Sequence, residues 1–182
     1  LAFPPSSPTS RNAVDPDDAL DMRFVSVNAN RRDATTTSLE LLQQYDIVAV
    51  QEVPQPTRPV LHSVSTVVSD ISGSSRGCIV VVSHRIAPLV IESRAQGNGL
   101  AAAVLLSLPG GKVWFVSAYQ NSTNAAELGR FISGLTTSAE FVIGGDWNSV
   151  LDPDMDYTGG RRAHARCPWL HDAVLAGTLV DV

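Results

Sequence analysis

Apolar and polar positions along this chain follow two rhythms. Residues Arg23 to Asn30 alternate between them, the pattern of a strand with one covered face. Asp46 to Glu52 instead carries an unbroken apolar run, Ile47-Val48-Ala49-Val50, closed by Gln51-Glu52, as expected of a strand covered on both faces. Apolar runs around Cys78 to Ser83, Gly99 to Leu108, Lys112 to Tyr119 and Phe141 to Ile143 predict further strands, with Pro109-Gly110-Gly111 as a hairpin turn. A helical rhythm separates some of these. Leu128, Phe131, Ile132 and Leu135 recur at helical spacing behind Asn124 and Glu127, which predicts a helix over 124–135. Thr37-Ser38-Leu39-Glu40 has the form of a capping box and predicts a short helix from there to about Tyr45. Pro168, Leu170, Ala173 and Val174 predict a last helix before Leu179-Val180. Strands with hairpins and interspersed helices make this an α/β chain with mixed sheets.

Leu1 to Asp21 follows neither rhythm. It holds Pro4, Pro5 and Pro8 among serines, then Asp15, Asp17, Asp18 and Asp21, and reads as a disordered leader before one domain over 22–182. It lacks the basic start and apolar core of a secretory signal, and no stretch of the chain is long enough to span a membrane. The leader, with only Arg11 against its four acids, accounts for −3 of the net charge of −5, which leaves −2 for the rest. A nearly neutral domain does not exclude a polyanionic partner, because twelve of the thirteen bases are Arg, the side chain suited to planar phosphate recognition. Cys78 and Cys167 stand far apart without metal spacing, which suggests a reduced, intracellular protein.

The chemistry gathers at strand ends. Asn28 closes one strand, Glu52 a second, and Asp146 and Asn148 follow Phe141-Val142-Ile143-Gly144-Gly145. On an extended chain Asp146 and Asn148 would share a face, with the glycines admitting a close ligand. A carboxylate there can orient a water and an amide can hold an oxyanion. Glu52 is the strongest metal-ligand candidate. Its oxygens suit Mg²⁺ or Mn²⁺, and Mg²⁺ typically takes only one or two protein carboxylates, completing its shell with water and phosphate. Arg31 and Arg32 follow the first motif, and Arg161, Arg162 and Arg166 the last. These can border one groove and contact phosphates, or belong to solvated loops. Ser83-His84-Arg85 reads as an ordinary strand end.

Asn28, Gln51-Glu52 and Gly145-Asp146-Trp147-Asn148 occur in the order and spacing that resembles the endonuclease/exonuclease/phosphatase superfamily, with Trp147 in a position the family gives to Phe. Ser117-Ala118-Tyr119 ends a strand where the family commonly has a Tyr near the scissile phosphate. Val150 to Arg161 and the closing Gly177 to Val182 resemble the endonucleases of LINE-type (non-LTR) retrotransposons. The resemblance covers residues 22 to 182. It implies two packed mixed β-sheets flanked by helices, a four-layer, deoxyribonuclease-like sandwich. It also implies Mg²⁺-dependent hydrolysis of DNA, with Glu52 and Asn28 at the metal, Asp146, Asn148 and Tyr119 catalytic, a nuclear location, and a reverse transcriptase downstream in a longer polyprotein. Family members carry a further Asp and a Ser-Asp-His after the segment at which this chain stops. The resemblance therefore implies a sandwich incomplete at the C-terminus, weak in activity until extended. Phosphatases and phosphodiesterases of inositol phosphates or lipids share the same motifs, and a noncatalytic retroelement remnant would retain them, so both stay open beside the nuclease.

Overall fold

The computed structural model describes residues 21–30, 34–54, 66–69, 76–120, 123–136, 139–148, 170 and 172–173. Leader residues 1–20, most of the expected last helix, and Arg31, Arg32, Arg161 and Arg162 lie outside them. In chain order the elements are β1 (Phe24–Asn28), α1 (Ala34–Leu41), β2 (Ile47–Pro54), β3 (Thr66–Ser69), β4 (Arg76–Val82), β5 (Val90–Gln96), β6 (Ala101–Leu108), β7 (Gly111–Tyr119), α2 (Ala125–Thr136) and β8 (Glu140–Asp146).

They form two four-stranded sheets, ordered β1-β2-β4-β3 and β5-β6-β7-β8. Each sheet joins one parallel pair, β1 with β2 and β7 with β8, to antiparallel neighbours. A parallel pair needs a crossover, and here each has a helix between its strands, giving β1-α1-β2 in one sheet and β7-α2-β8 in the other. The sheets stack face to face with β1 over β8 and β2 over β7.

Alternation along the strands sorts the apolar residues into layers. Ile47, Cys78, Val80, Val82, Ala102, Val104, Leu106 and Phe115 fill the space between the sheets. Val48, Val50, Val53, Ile79 and Val81 form the outer face of the first sheet, packed by Leu41, Leu42 and Tyr45. Trp114, Val116 and Ala103 form the outer face of the second with Leu135 and Phe131 of α2, joined by Leu128 and Ile132 near Ala101 and Ala118. The result is the four-layer sandwich implied by the resemblance, with a fully buried aliphatic side chain contributing about 1.5–3 kcal/mol.

The expected strands and the helix over 124–135 are present. The first helix departs from expectation: it runs over Ala34–Leu41, so Thr37 and Glu40 lie inside it. Packing of Leu41, Leu42 and Tyr45 on the sheet sets its position, and the capping pattern does not. Gly144 and Gly145 also serve another purpose than admitting a ligand. A Cβ at Gly144 would meet Ser26 Cβ at 2.3 Å, and one at Gly145 the Ala118 carbonyl oxygen at 2.7 Å. Glycine at 144 lets β1 lie against β8, and glycine at 145 leaves room for the backbone of its sheet neighbour β7.

Where β2 begins, Asp46 ties three segments. It accepts from Arg85 Nε at 2.9 Å, Ser83 Oγ at 3.2 Å and the Arg23 backbone N–H at 3.1 Å, and Arg85 Nη2 lies 2.7 Å from its other oxygen. The hydrogen bond from Arg85 is the main cause holding its carboxyl below the usual range, against some desolvation. Ser83-His84-Arg85 therefore belongs to the end of β2 opposite Glu52.

Candidate active site

The carboxyl ends of β1 and β8 meet because Ser26 and Gly144 pack directly on each other two residues earlier. Asn28 Nδ2 donates to Asp146 Oδ2 at 2.5 Å, a bond between residues 118 apart in the chain and on different sheets. Asn28 Oδ1 accepts the Asn30 N–H at 2.7 Å, which fixes the amide plane. The other oxygen of Asp146 accepts the Asn148 N–H at 3.1 Å. Both carboxylate oxygens thus have a donor, and the side chain is oriented by two strand ends at once.

Asn148 reaches Asp146 by another route than the alternation expected for it. The strand stops at Asp146, and Asn148 has φ 44°, so the pair is joined by a turn that asparagine tolerates well. The Asn148 amide Nδ2 donates to the Gln120 carbonyl at 2.8 Å. Tyr119 is the register partner of Asp146. It is half-buried and packs against the layer between the sheets.

Glu52 sits beside this group on the next strand, because Asn28 pairs in register with Gln51. It lies inside β2, which continues to Pro54, and it has φ 57°. For a glutamate that conformation costs about 1 kcal/mol or more. Glu52, Asn30 and Asn148 are the described residues other than glycine with positive φ, and all three stand at this end of the sandwich. Such conformations persist where the surroundings impose them.

Sequence reasoning overlooked Gln120. It is buried, its N–H donates to the Asp146 carbonyl at 2.8 Å, and its Nε2 donates to the Trp147 carbonyl at 3.2 Å. With its bond from Asn148, it holds the chain from the Asp146 carbonyl through Asn148. Its position after Tyr119 was the available signal. Beneath the site, Gln51 Nε2 donates to Ser117 Oγ at 2.9 Å and to Ser26 Oγ at 3.2 Å, a polar node between the sheets. The nearby Cys78 thiol donates to the Leu100 carbonyl, and burial pushes its pKa far up.

Among the described residues no group of three or more His, Cys, Asp or Glu is placed to hold a metal. The donor set at this end is all oxygen: the Glu52 and Asp146 carboxylates and the remaining lone pair of Asn28 Oδ1. Those donors fit a hard divalent ion that takes few protein ligands and retains water.

No protein-family model and no curated relative matches the chain. Solved structures do. The endonuclease domain of TRAS1, a telomere-specific non-LTR retrotransposon, matches with a TM-score of 0.56 at 14% identity, over 86% of this chain and 70% of that one. TDP2 from Caenorhabditis elegans matches with a TM-score of 0.51 at 17% identity, over 78% of this chain. The human Nocturnin catalytic domain with bound sulfate also matches at 0.51, with 16% identity, over 72% of this chain and 65% of that one. This chain spans 50% of the TDP2 chain. At these identities the likeness is one of fold, and it agrees with the strand order and layers described above. The chain shares the fold of the TRAS1 endonuclease domain, TDP2 and the Nocturnin catalytic domain, the two-sheet α/β sandwich that the resemblance implied.

Proposed function

We propose that this chain is a metal-dependent phosphodiesterase of the retrotransposon endonuclease type, acting on DNA in the nucleus. The observation that carries the reading is the Asn28–Asp146 hydrogen bond, which joins two of the motif residues across the sheets beside the strand of Glu52. The likeness to the TRAS1 endonuclease domain supports the branch. The DNA substrate is supported by the match to a Danio rerio TDP2 complexed with single-stranded DNA product, with a TM-score of 0.51 at 13% identity over 78% of this chain.

Glu52, with Asn28 paired to its neighbour Gln51 on the adjacent strand, would hold Mg²⁺ or Mn²⁺. The ion would supply charge neutralisation at a phosphate oxygen. Asp146, oriented by Asn28 and the Asn148 N–H, positions the attacking water and takes its proton. Asn148 stabilises the charge that develops on the phosphorus oxygens, and Tyr119 positions the phosphate. Arg31, Arg32, Arg161 and Arg162 contact flanking phosphates, the sequence-independent part of binding. A reverse transcriptase downstream in a longer polyprotein would use the nick.

The test is nicking of supercoiled plasmid by the chain in Mg²⁺, beside Asp146→Ala, Glu52→Gln and a chelator control, with release of phosphate from an inositol polyphosphate measured in parallel. Nicking that needs Mg²⁺ and both carboxylates is the expected result. Phosphate release without nicking would replace the nuclease with a phosphatase, and neither activity from a folded chain would overturn both for the chain as it stands.

A further inference from the structure

We propose that Gln51 is a positioning residue for Glu52: its buried amide, tied to both sheets, locks a bulge in β2 that takes Glu52 out of the apolar layer beneath α1. The inference rests on the reading of Glu52 as the carboxylate that holds the metal. The bulge follows from the register. Val50 pairs with Ile79 and Val53 with Gly77, so Gln51 and Glu52 together stand opposite the single residue Cys78. The extra residue reverses the alternation of the strand, and Val48, Val50 and Val53 all belong to the same outer apolar cluster. In a regular strand the even-numbered positions would share that face. Glu52 would then continue the row of Val48 and Val50, and Val53 would face the other sheet.

Gln51 is 1% exposed and is fixed through both its side chain and its main chain. Its Nε2 donates to Ser117 Oγ on β7 and to Ser26 Oγ on β1. Ser117, also buried, donates onward to the Val50 carbonyl at 3.0 Å, which closes a ring around the start of the bulge. The Gln51 carbonyl accepts the Ala29 N–H at 2.9 Å. A buried amide is costly to leave without partners, and the two serines that satisfy it exist only on this face and at this register. The positive φ of Glu52 is therefore imposed from the residue before it. By resemblance Gln51 was only the first letter of a motif, and the geometry gives it this task.

The test uses the isotope-labelled chain as wild type, Gln51→Met, Ser117→Ala and Glu52→Gln. Two quantities are read: the φ of Glu52 from its HN–Hα coupling and Cα shift, and Mn²⁺ affinity from the signal of free Mn²⁺ in electron paramagnetic resonance. Gln51→Met keeps the side-chain volume and removes the donors. In it the Glu52 coupling is expected to move to the extended range, with Mn²⁺ affinity lower by about 10-fold or more, as for groups that orient metal ligands, while the amide spectrum of β5 and of α2 stays in place. Glu52 remaining at positive φ in Gln51→Met would overturn the proposal. Should that variant not fold, Ser117→Ala decides by the same criterion. Mn²⁺ affinity unchanged in Glu52→Gln would overturn the metal reading and this inference with it. Loss in Glu52→Gln alone, with Gln51→Met unmoved in both readouts, would overturn this inference and leave the metal reading standing.

Discussion

Asn30, Glu52 and Asn148 share a left-handed backbone, yet only for Glu52 is that conformation at odds with the side chain. Asparagine adopts it readily, glutamate does so only under strain, and glycine would occupy it without strain. Glu52→Gly is therefore expected to be more stable than Glu52→Ala by about 1 kcal/mol in urea denaturation, although both lack the carboxylate and both lose nicking. Equal stability would mean that the backbone at position 52 relaxes with the side chain. Asn28 offers a complementary case. Asn28→Ala removes the donor to Asp146 Oδ2 from the edge of the structure, where little packing is lost. Nicking is expected to fall about 10–100-fold, the usual effect of losing an orienting partner, with a change in melting temperature too small to account for it. A drop confined to stability would remove Asn28 from the site.

Among elements, the sequence was most legible where one apolar pattern had one explanation. The continuous run in β2 and the helical stripe of α2 both predict structures that are present, since each reports burial directly. β5 went unpredicted because five successive residues, Ile91 to Ala95, are exposed, so it has no apolar rhythm to read. It exists because β6 offers it an edge, with Arg94 lying over Trp114 at 5.1 Å. The candidate site could be proposed from the sequence as a set of residues but not as an arrangement. Motif order named Asn28, Glu52 and Asp146, while their approach depends on Ser26 meeting Gly144, a contact between residues 118 apart that no local pattern carries. Gly144→Ala tests that contact. A Cβ there would also lie 3.0 Å from Phe24 Cζ, so β1 must shift, and a loss of about 1–3 kcal/mol is expected from overpacking. Because the shift carries Asn28 away from Asp146, nicking should fall further than stability alone accounts for. Ser26→Gly in the same chain should recover part of both, and no recovery would mean that the strain lies elsewhere.

For the molecule as a whole, the two ends of the sandwich have different duties. One end is pinned by Asp46 and Arg85, the other carries the candidate site. The Asp46 carboxyl is held below its ordinary value, so it contributes stability above the usual carboxylate range, about pH 4, and loses it as pH falls through the lowered value. Arg85 is 52% exposed on its side chain, so solvent screening limits the pair to about 1 kcal/mol. Asp46→Asn is expected to lose that amount at neutral pH, converge with the wild type in acid, and leave the rate of nicking unchanged. An altered rate would show that the ends are coupled. At the other end, the Asn28–Asp146 bond makes the site a seam between two halves of the protein. Whatever binds across it acts as a clasp, and its affinity and the cohesion of the halves become a single thermodynamic quantity. A ligand at a hundred times its Kd would add about 2.7 kcal/mol to stability. By reciprocity, a substitution deep in the layer between the sheets that lets them part would register as weaker binding, so a screen for poor binders would return core residues along with those of the seam.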